Sequence, residues 1–182
     1  MGISAETYER VALEDGDATW ELVCGRLRQK PPMTTAHNRT ARLARRQLER
    51  QLPEDHFDIA ETARLRTGGG SFYVPDLVVI PAGLLAAALA MPRELEVYEA
   101  PVPLVIEVWS PSTGDYDVSE KLPEYQRRGD AEIWLIHPHE RWLRAWRRQA
   151  DGGYTETLFG GEASIEPAAL PGVRIELAKL LA

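Results

Sequence analysis

The sequence predicts a mixed α/β domain, in which a mixed sheet carries helices on its faces. Three observations lead there. An apolar stripe at helical spacing precedes the strands, with arginines opposite it. Several β-branched runs are bounded by proline or glycine. The order of elements is helix, three strands, helix, strand and then a hairpin, which packs naturally as helices on a sheet.

Residues 1–35 read as an irregular lead-in with short strands over 20–24 and 26–29, around Gly25. Thr34 or Thr35 can cap a helix over 36–52 that Pro53 ends. Its inward stripe is Ala41, Ala44, Leu48 and Leu52, with His37 in line. Arg39, Arg42, Arg46 and Arg50 fall on the opposite face. Strands are expected over 57–66, 72–80 and 102–109, with an insertion over 81–100 that holds a short alanine-rich helix. A second helix over 117–128 stops at Gly129 and is bent by Pro123. Residues 131–137 read as a buried strand, and 141–148 with 154–159 as a hairpin around Asp151-Gly152-Gly153. One more strand over 173–177 and a short helix complete the chain.

A chain of 182 residues fits one domain, 1–182, with enough material for a real core. The hydrophobic and charged fractions, 44% and 27%, are those of an ordinary globular protein. A net charge of −7 argues against a protein that coats nucleic acid over its whole surface, but leaves room for a local basic groove. One cysteine, Cys24, excludes an internal disulfide framework and reads as a small buried residue. No apolar run is long enough to span a bilayer and the first ten residues lack a signal stretch, so a cytoplasmic location is expected, with no membrane partner. Only Lys30, Lys121 and Lys179 are lysines; the other basic residues are arginine.

Two acids stand out. Asp76 follows Pro75 in an otherwise apolar strand, and Glu107 interrupts the run Leu104-Val105-Ile106-Glu107-Val108-Trp109. A carboxylate buried in a sheet costs several kcal/mol unless paired, hydrogen-bonded or bound to a cation. Two of them in neighbouring strands suggest a shared hard cation, Mg²⁺ first, which takes one or two carboxylates and keeps several waters. The bland alternative is that each acid sits at a strand end and meets solvent or an arginine.

Pro75-Asp76 followed by Glu107 resembles the PD-(D/E)XK pattern of restriction-endonuclease-like enzymes. The block from Leu104 through Ser110-Pro111-Ser112-Thr113, then Asp117, Lys121, Tyr125, Gly129 and Glu132-Ile133-Trp134-Leu135-Ile136, is similar to one branch, the Uma-type family. Glu21, Gly25 and His37 extend the likeness over most of the chain. The resemblance implies a restriction-endonuclease-like core of helix, three strands, helix and strand, with a C-terminal β-hairpin. It departs from the short motif at Trp109, which holds the slot two residues after the glutamate where the lysine should stand. In this branch the lysine position moves to the following helix, which Lys121 matches. The implied activity is hydrolysis of a phosphodiester in nucleic acid, expected to be DNA, with Mg²⁺ or Mn²⁺ on Asp76, Glu107 and the Val108 carbonyl. Lys121 would assist the attacking water. A homodimer is expected, because such enzymes often cut two strands.

Other residues keep two readings. His37 could contact the phosphate or order the acids, or be a hydrogen-bonded core histidine. Glu21 is a supporting acid or a strand-edge charge. The Arg39, Arg42, Arg46 and Arg50 stripe tracks a phosphate backbone or is a solvated face. Arginines 141, 144, 147 and 148, interleaved with Trp142 and Trp146, suit nucleic acid, a dimer interface or cross-strand packing. His137-Pro138-His139 is a weak chelate pattern, and the family places an aspartate at 137. Ser110 has no evident base. The rival to an enzyme is a non-catalytic module that keeps the fold for binding nucleic acid or protein. A carboxylate-pair glycosidase would also use two acids but leaves Lys121 unexplained.

Overall fold

The computed structural model describes residues 2–181. Its first element corrects the reading of the lead-in. Ser4 accepts a hydrogen bond from the Thr7 amide and caps a helix, α1 (Ala5–Glu14). The helix is held by burying Tyr8 against Phe72, with ring centroids 4.7 Å apart, and composition gives no sign of that tertiary contact. The expected short strands follow as β1 (Trp20–Val23) and β2 (Arg26–Gln29), paired around Gly25 at φ +76°. Thr34 caps α2 (Thr35–Glu49), and its side chain accepts from the His37 amide.

Two of the expected long strands are each broken in two. Residues 57–66 form β3 (Phe57–Ala60) and β4 (Arg64–Arg66), which lie in different sheets. Residues 72–80 form β5 (Phe72–Tyr73) and β6 (Leu77–Pro81). Pro75 has no amide proton to give a ladder, and it stands in the gap between them. The segment 81–100 is more than an insertion. It supplies α3 (Ala82–Leu89) and β7 (Val97–Tyr98), which pairs in parallel with β4.

The remaining elements are β8 (Leu104–Val108), α4 (Gly114–Tyr116), a π turn (Asp117–Lys121), α5 (Leu122–Arg128), β9 (Glu132–His137), β10 (Trp142–Arg148), β11 (Tyr154–Gly160), β12 (Ser164–Ile165), β13 (Ile175–Glu176) and α6 (Leu177–Leu180). Pro123 was expected to bend one helix. The distortion instead falls just before it, as the π turn, where the Leu122 amide bonds the Asp117 carbonyl five residues back.

Six strands form the main sheet in the order β11-β10-β9-β8-β6-β3, parallel only between β8 and β9. The hairpin is therefore part of the sheet, since β10 pairs with β9 from Trp142–His137 to Arg147–Glu132. A smaller sheet has the order β2-β1-β5-β4-β7. Both faces of the central strands of the main sheet are buried. Leu77, Val79, Ile106 and Val108 pack with Ala44 and Leu48 of α2 and with the C-terminal segment. Val78, Val105 and Leu135 pack with Tyr125 of α5 and with Leu65 and Tyr73 of the smaller sheet. Such two-sided burial explains why β6, β8 and β9 read as continuous apolar runs rather than alternating ones.

Gly114 shows how tightly the loop after β8 is set. A Cβ there would fall inside the Trp109 indole, whereas one at Gly83 in α3 would meet no atom within 4 Å. Gly114→Ala is expected to cost about 1–3 kcal/mol, lowering Tm by roughly 2–4 °C for each kcal/mol. Gly83→Ala should leave Tm unchanged or raise it slightly, since alanine favours a helix interior. Thermal unfolding followed by tryptophan fluorescence checks both.

Candidate active site

The break at Pro75 puts Asp76 at the start of β6, where its side chain meets groups from three other elements. Its Oδ1 accepts from Lys30 Nζ, just after β2, at 2.7 Å. Its Oδ2 lies 2.8 Å from His37 Nε2 of α2 and accepts from the Val108 amide of β8 at 2.7 Å. Burial alone would raise this carboxyl. Lys30, His37 and Lys121 outweigh that and hold it well below the usual carboxylate range.

Glu107 of β8 sits beside this cluster. Its Oε1 accepts from Lys121 Nζ at 3.1 Å and from the Tyr125 hydroxyl at 2.7 Å. Lys121 Nζ is also 3.1 Å from Glu21 Oε1 and 3.3 Å from Asp117 Oδ1, and donates to the Val74 carbonyl at 3.4 Å. Glu21 accepts from the Val74 amide at 2.9 Å and from the Tyr116 hydroxyl at 3.1 Å. Arg28 lies over the Tyr116 ring, with its Cζ 3.1 Å from the centroid.

This cluster has a charge imbalance. Four carboxylates (Glu21, Asp76, Glu107 and Asp117) face two ammonium groups, Lys30 and Lys121, so two negative charges are left over when every acid is ionised. The imbalance shows in the titration of the acids. Burial pushes Glu107 up to about 8; Lys121 opposes this, while Asp117 and Asp76 add to it. Asp117 is raised as well, by burial and then by Asp76, against the pull of Lys121. Lys121 is held protonated, its carboxylate neighbours outweighing its burial. Asp117 Oδ1 accepts no hydrogen bond, because the nearby Lys121 ammonium is not aligned to give one.

The residues singled out from the sequence divide as follows. Asp76, Glu107, Lys121, Glu21 and His37 lie in one connected network, and Val108 joins it through its amide. Of the four arginines only Arg42 lines the cleft over Asp76, a cavity of about 410 Å³ that also includes Lys30, Met33, His37 and Asn38. Arg39, Arg46 and Arg50 are exposed on α2, and Arg39 lines a separate small pocket with Pro138. Trp109, in the slot expected for lysine, stacks on His137 with ring centroids 4.2 Å apart. Lys30, Asp117 and Tyr125 are in the network without having been given a role from the sequence. The rarity of lysine was the one sign that pointed to Lys30.

The donor chemistry to weigh against a divalent cation is that of two buried carboxylates, Asp76 and Glu107. Among the described residues no three His, Cys, Asp or Glu side chains are arranged as metal ligands, so Asp76 and Glu107 would be the two side-chain donors. Mg²⁺ completes such a pair with water. The negative charge left over when all four acids are ionised is what a divalent ion would relieve.

Helix α2, the β3–β6–β8 strands, α5 and β9 form the mixed α/β core that carries these acids. The chain belongs to the Uma2 family, described as "Putative restriction endonuclease", whose profile matches residues 5–178. It is similar in fold to a crystal structure described as a putative nuclease belonging to DUF820, from Anabaena variabilis. The two are 19% identical, with a TM-score of 0.77 over 98% of this chain and 97% of that one. No curated protein matches the sequence. Among the described residues no helix is long and apolar enough to cross a membrane.

The imbalance can be read in stability. Because the Glu107 carboxyl is raised, the folded state binds its proton more tightly than the unfolded chain does. The stability this contributes is full below about 4.5 and is lost as pH rises through about 8. Tm of the metal-free protein is expected to fall between pH 6 and 9, and Glu107→Gln should flatten that fall. Lys121→Met leaves three buried carboxylates without their counter-ion and is expected to cost roughly 3–5 kcal/mol in urea denaturation at pH 7.

Proposed function

We propose that the chain hydrolyses phosphodiester bonds in nucleic acid, with DNA as the substrate class, using a divalent cation held by Asp76 and Glu107. The observation that carries this reading is the excess of buried carboxylate over ammonium around Asp76 and Glu107, next to a cleft lined by Asp76, Lys30, His37, Arg42 and Glu61. Lys30 and Arg42 in that cleft suit a polyanion, and the surplus acid beside it suits a metal ion. When bound, Mg²⁺ or Mn²⁺ supplies Lewis-acid polarisation of the phosphate and a more acidic water.

The side chains have separable tasks. Asp76 is the ionised donor, oriented through its Oδ2 by His37 and the Val108 amide. Glu107 is the second donor, and its affinity for a proton means that cation and proton compete for it. Lys121 serves the reaction through Glu107, holding that carboxylate in place from a sealed position. His37 orients Asp76 from the other side. The Val108 carbonyl is offered as a backbone ligand, since the same residue's amide already binds Asp76. Cutting both strands of a duplex would call for a second copy of the chain.

The acidic net charge and the burial of Lys121 favour, as a second reading, a non-catalytic module that keeps the fold for binding nucleic acid or protein. Incubation of plasmid and single-stranded DNA with Mg²⁺ or Mn²⁺ separates the two. Cleavage is expected, reduced at least about a hundredfold in Asp76→Ala and unchanged in Lys179→Ala, whose lysine pairs only with Glu176 on the surface. Asp76-dependent metal binding without cleavage of either DNA would favour the second reading, and no metal binding would refute the nuclease reading.

A further inference from the structure

Two lysines enter the cluster from different sides, and they differ in what a substrate could touch. The Lys121 side chain is 2% exposed and surrounded by Glu21, Glu107 and Asp117. The Lys30 side chain is 14% exposed and forms part of the cleft wall. Its backbone is anchored, because the Lys30 amide donates to the Thr19 carbonyl at 2.8 Å and Pro31 and Pro32 stiffen the chain that follows. Its ammonium rests on two oxygens, Asp76 Oδ1 at 2.7 Å and the Val74 carbonyl at 3.0 Å. A carboxylate and a backbone carbonyl are the oxygens a hard cation takes.

We propose that Lys30 is a tethered cation that fills the ion position on Asp76 in the metal-free protein, and that it is the lysine that meets a phosphate oxygen once metal is bound. The inference rests on the nuclease reading above. An ammonium and a divalent ion drawn to the same Asp76 Oδ1 repel each other at close range, so the ion displaces the ammonium, and Lys30 already lines the cleft. Released there, the ammonium joins Arg42 and Asn38 at the place where a strand would lie. Lys121, by contrast, stays beneath the floor. The lysine function that the short motif assigns to one residue is thereby divided between a buried lysine that sets Glu107 and a cleft lysine that contacts the substrate.

The test titrates Mn²⁺ into the full chain, reading free ion by electron paramagnetic resonance, for the wild type, Lys30→Met, Lys30→Gln and Arg42→Met. Glutamine keeps a donor for the Val74 carbonyl should methionine disturb the fold. Both Lys30 variants are expected to bind Mn²⁺ about tenfold more tightly, the gain from removing an occupant present in roughly nine molecules of ten. Arg42→Met, which removes a positive charge from the same cleft with no bond to Asp76, should stay within about twofold. At saturating Mn²⁺ the Lys30 variants should cleave DNA at least about tenfold more slowly. Unchanged affinity in both Lys30 variants, an equal gain in Arg42→Met, or undiminished cleavage at saturation would overturn the proposal. Asp76-dependent Mn²⁺ binding that Lys30 does not influence defeats this inference alone, whereas no Mn²⁺ binding in any variant defeats the nuclease reading with it.

Discussion

The local architecture depends on keeping four carboxylates buried around two ammonium groups. A buried ion costs several kcal/mol after relaxation, and mutual attraction repays that only where geometry is close and every remaining polar atom is satisfied. The protein meets the requirement unevenly. Asp76 is saturated by Lys30, His37 and the Val108 amide, while Glu107, Asp117 and Glu21 share Lys121. Asp76 is thus held well below the usual carboxylate range, while burial and then the neighbouring acids raise the affinity of Glu107 and Asp117 for protons. A site of this kind is stable with a proton or with a cation, and poor without either.

The fold explains how such a cluster is assembled. The central strands are covered on both faces, so an acid among them has no route to water except at a strand end. Pro75 interrupts pairing between β5 and β6 just before Asp76, which frees the Val74 carbonyl and amide for Lys30, Lys121 and Glu21. The π turn then places Asp117 and Lys121 on the buried side of the helical segment, with Tyr125 one turn further on. Each irregularity lies beside the cluster and supplies it with a polar group that regular structure would have used internally.

How much of this could be read from the sequence follows from the range of each signal. The capping of α2 by Thr34, the stop at Gly129 and the hairpin around Gly152 are local and were legible from spacing and turn chemistry. So was the anomaly of Glu107 in an apolar strand, because burial cost is a property of the residue and its neighbours. Helix α1 was not legible, since it depends on Tyr8 meeting Phe72, 64 positions away in the chain. The split of residues 57–66 between two sheets was hidden for the same reason: pairing partners, rather than composition, decide where a strand ends. Lys30 was missed because its role comes from the fold bringing β2 beside β6, with nothing in the flanking Gln29 or Pro31 to announce it.

Trp109 shows why the lysine of the short motif is displaced in this chain. It follows Glu107 by two residues and shares its strand face, but its indole fills the space between Gly114 and the His137 ring. His137 in turn packs on Trp142 at 4.9 Å, so the stack closes the end of the sheet where β8, β9 and β10 meet. A lysine at that point would give up the indole's packing on His137 and against Gly114. Bringing the positive charge in from the π turn resolves the conflict, because Lys121 reaches Glu107 from the side where Asp117 and Glu21 already demand a cation. The aromatic plug and the migrated lysine are therefore two consequences of one arrangement: the strand face past Glu107 is given to packing, and the charge it would have carried is supplied by the helix.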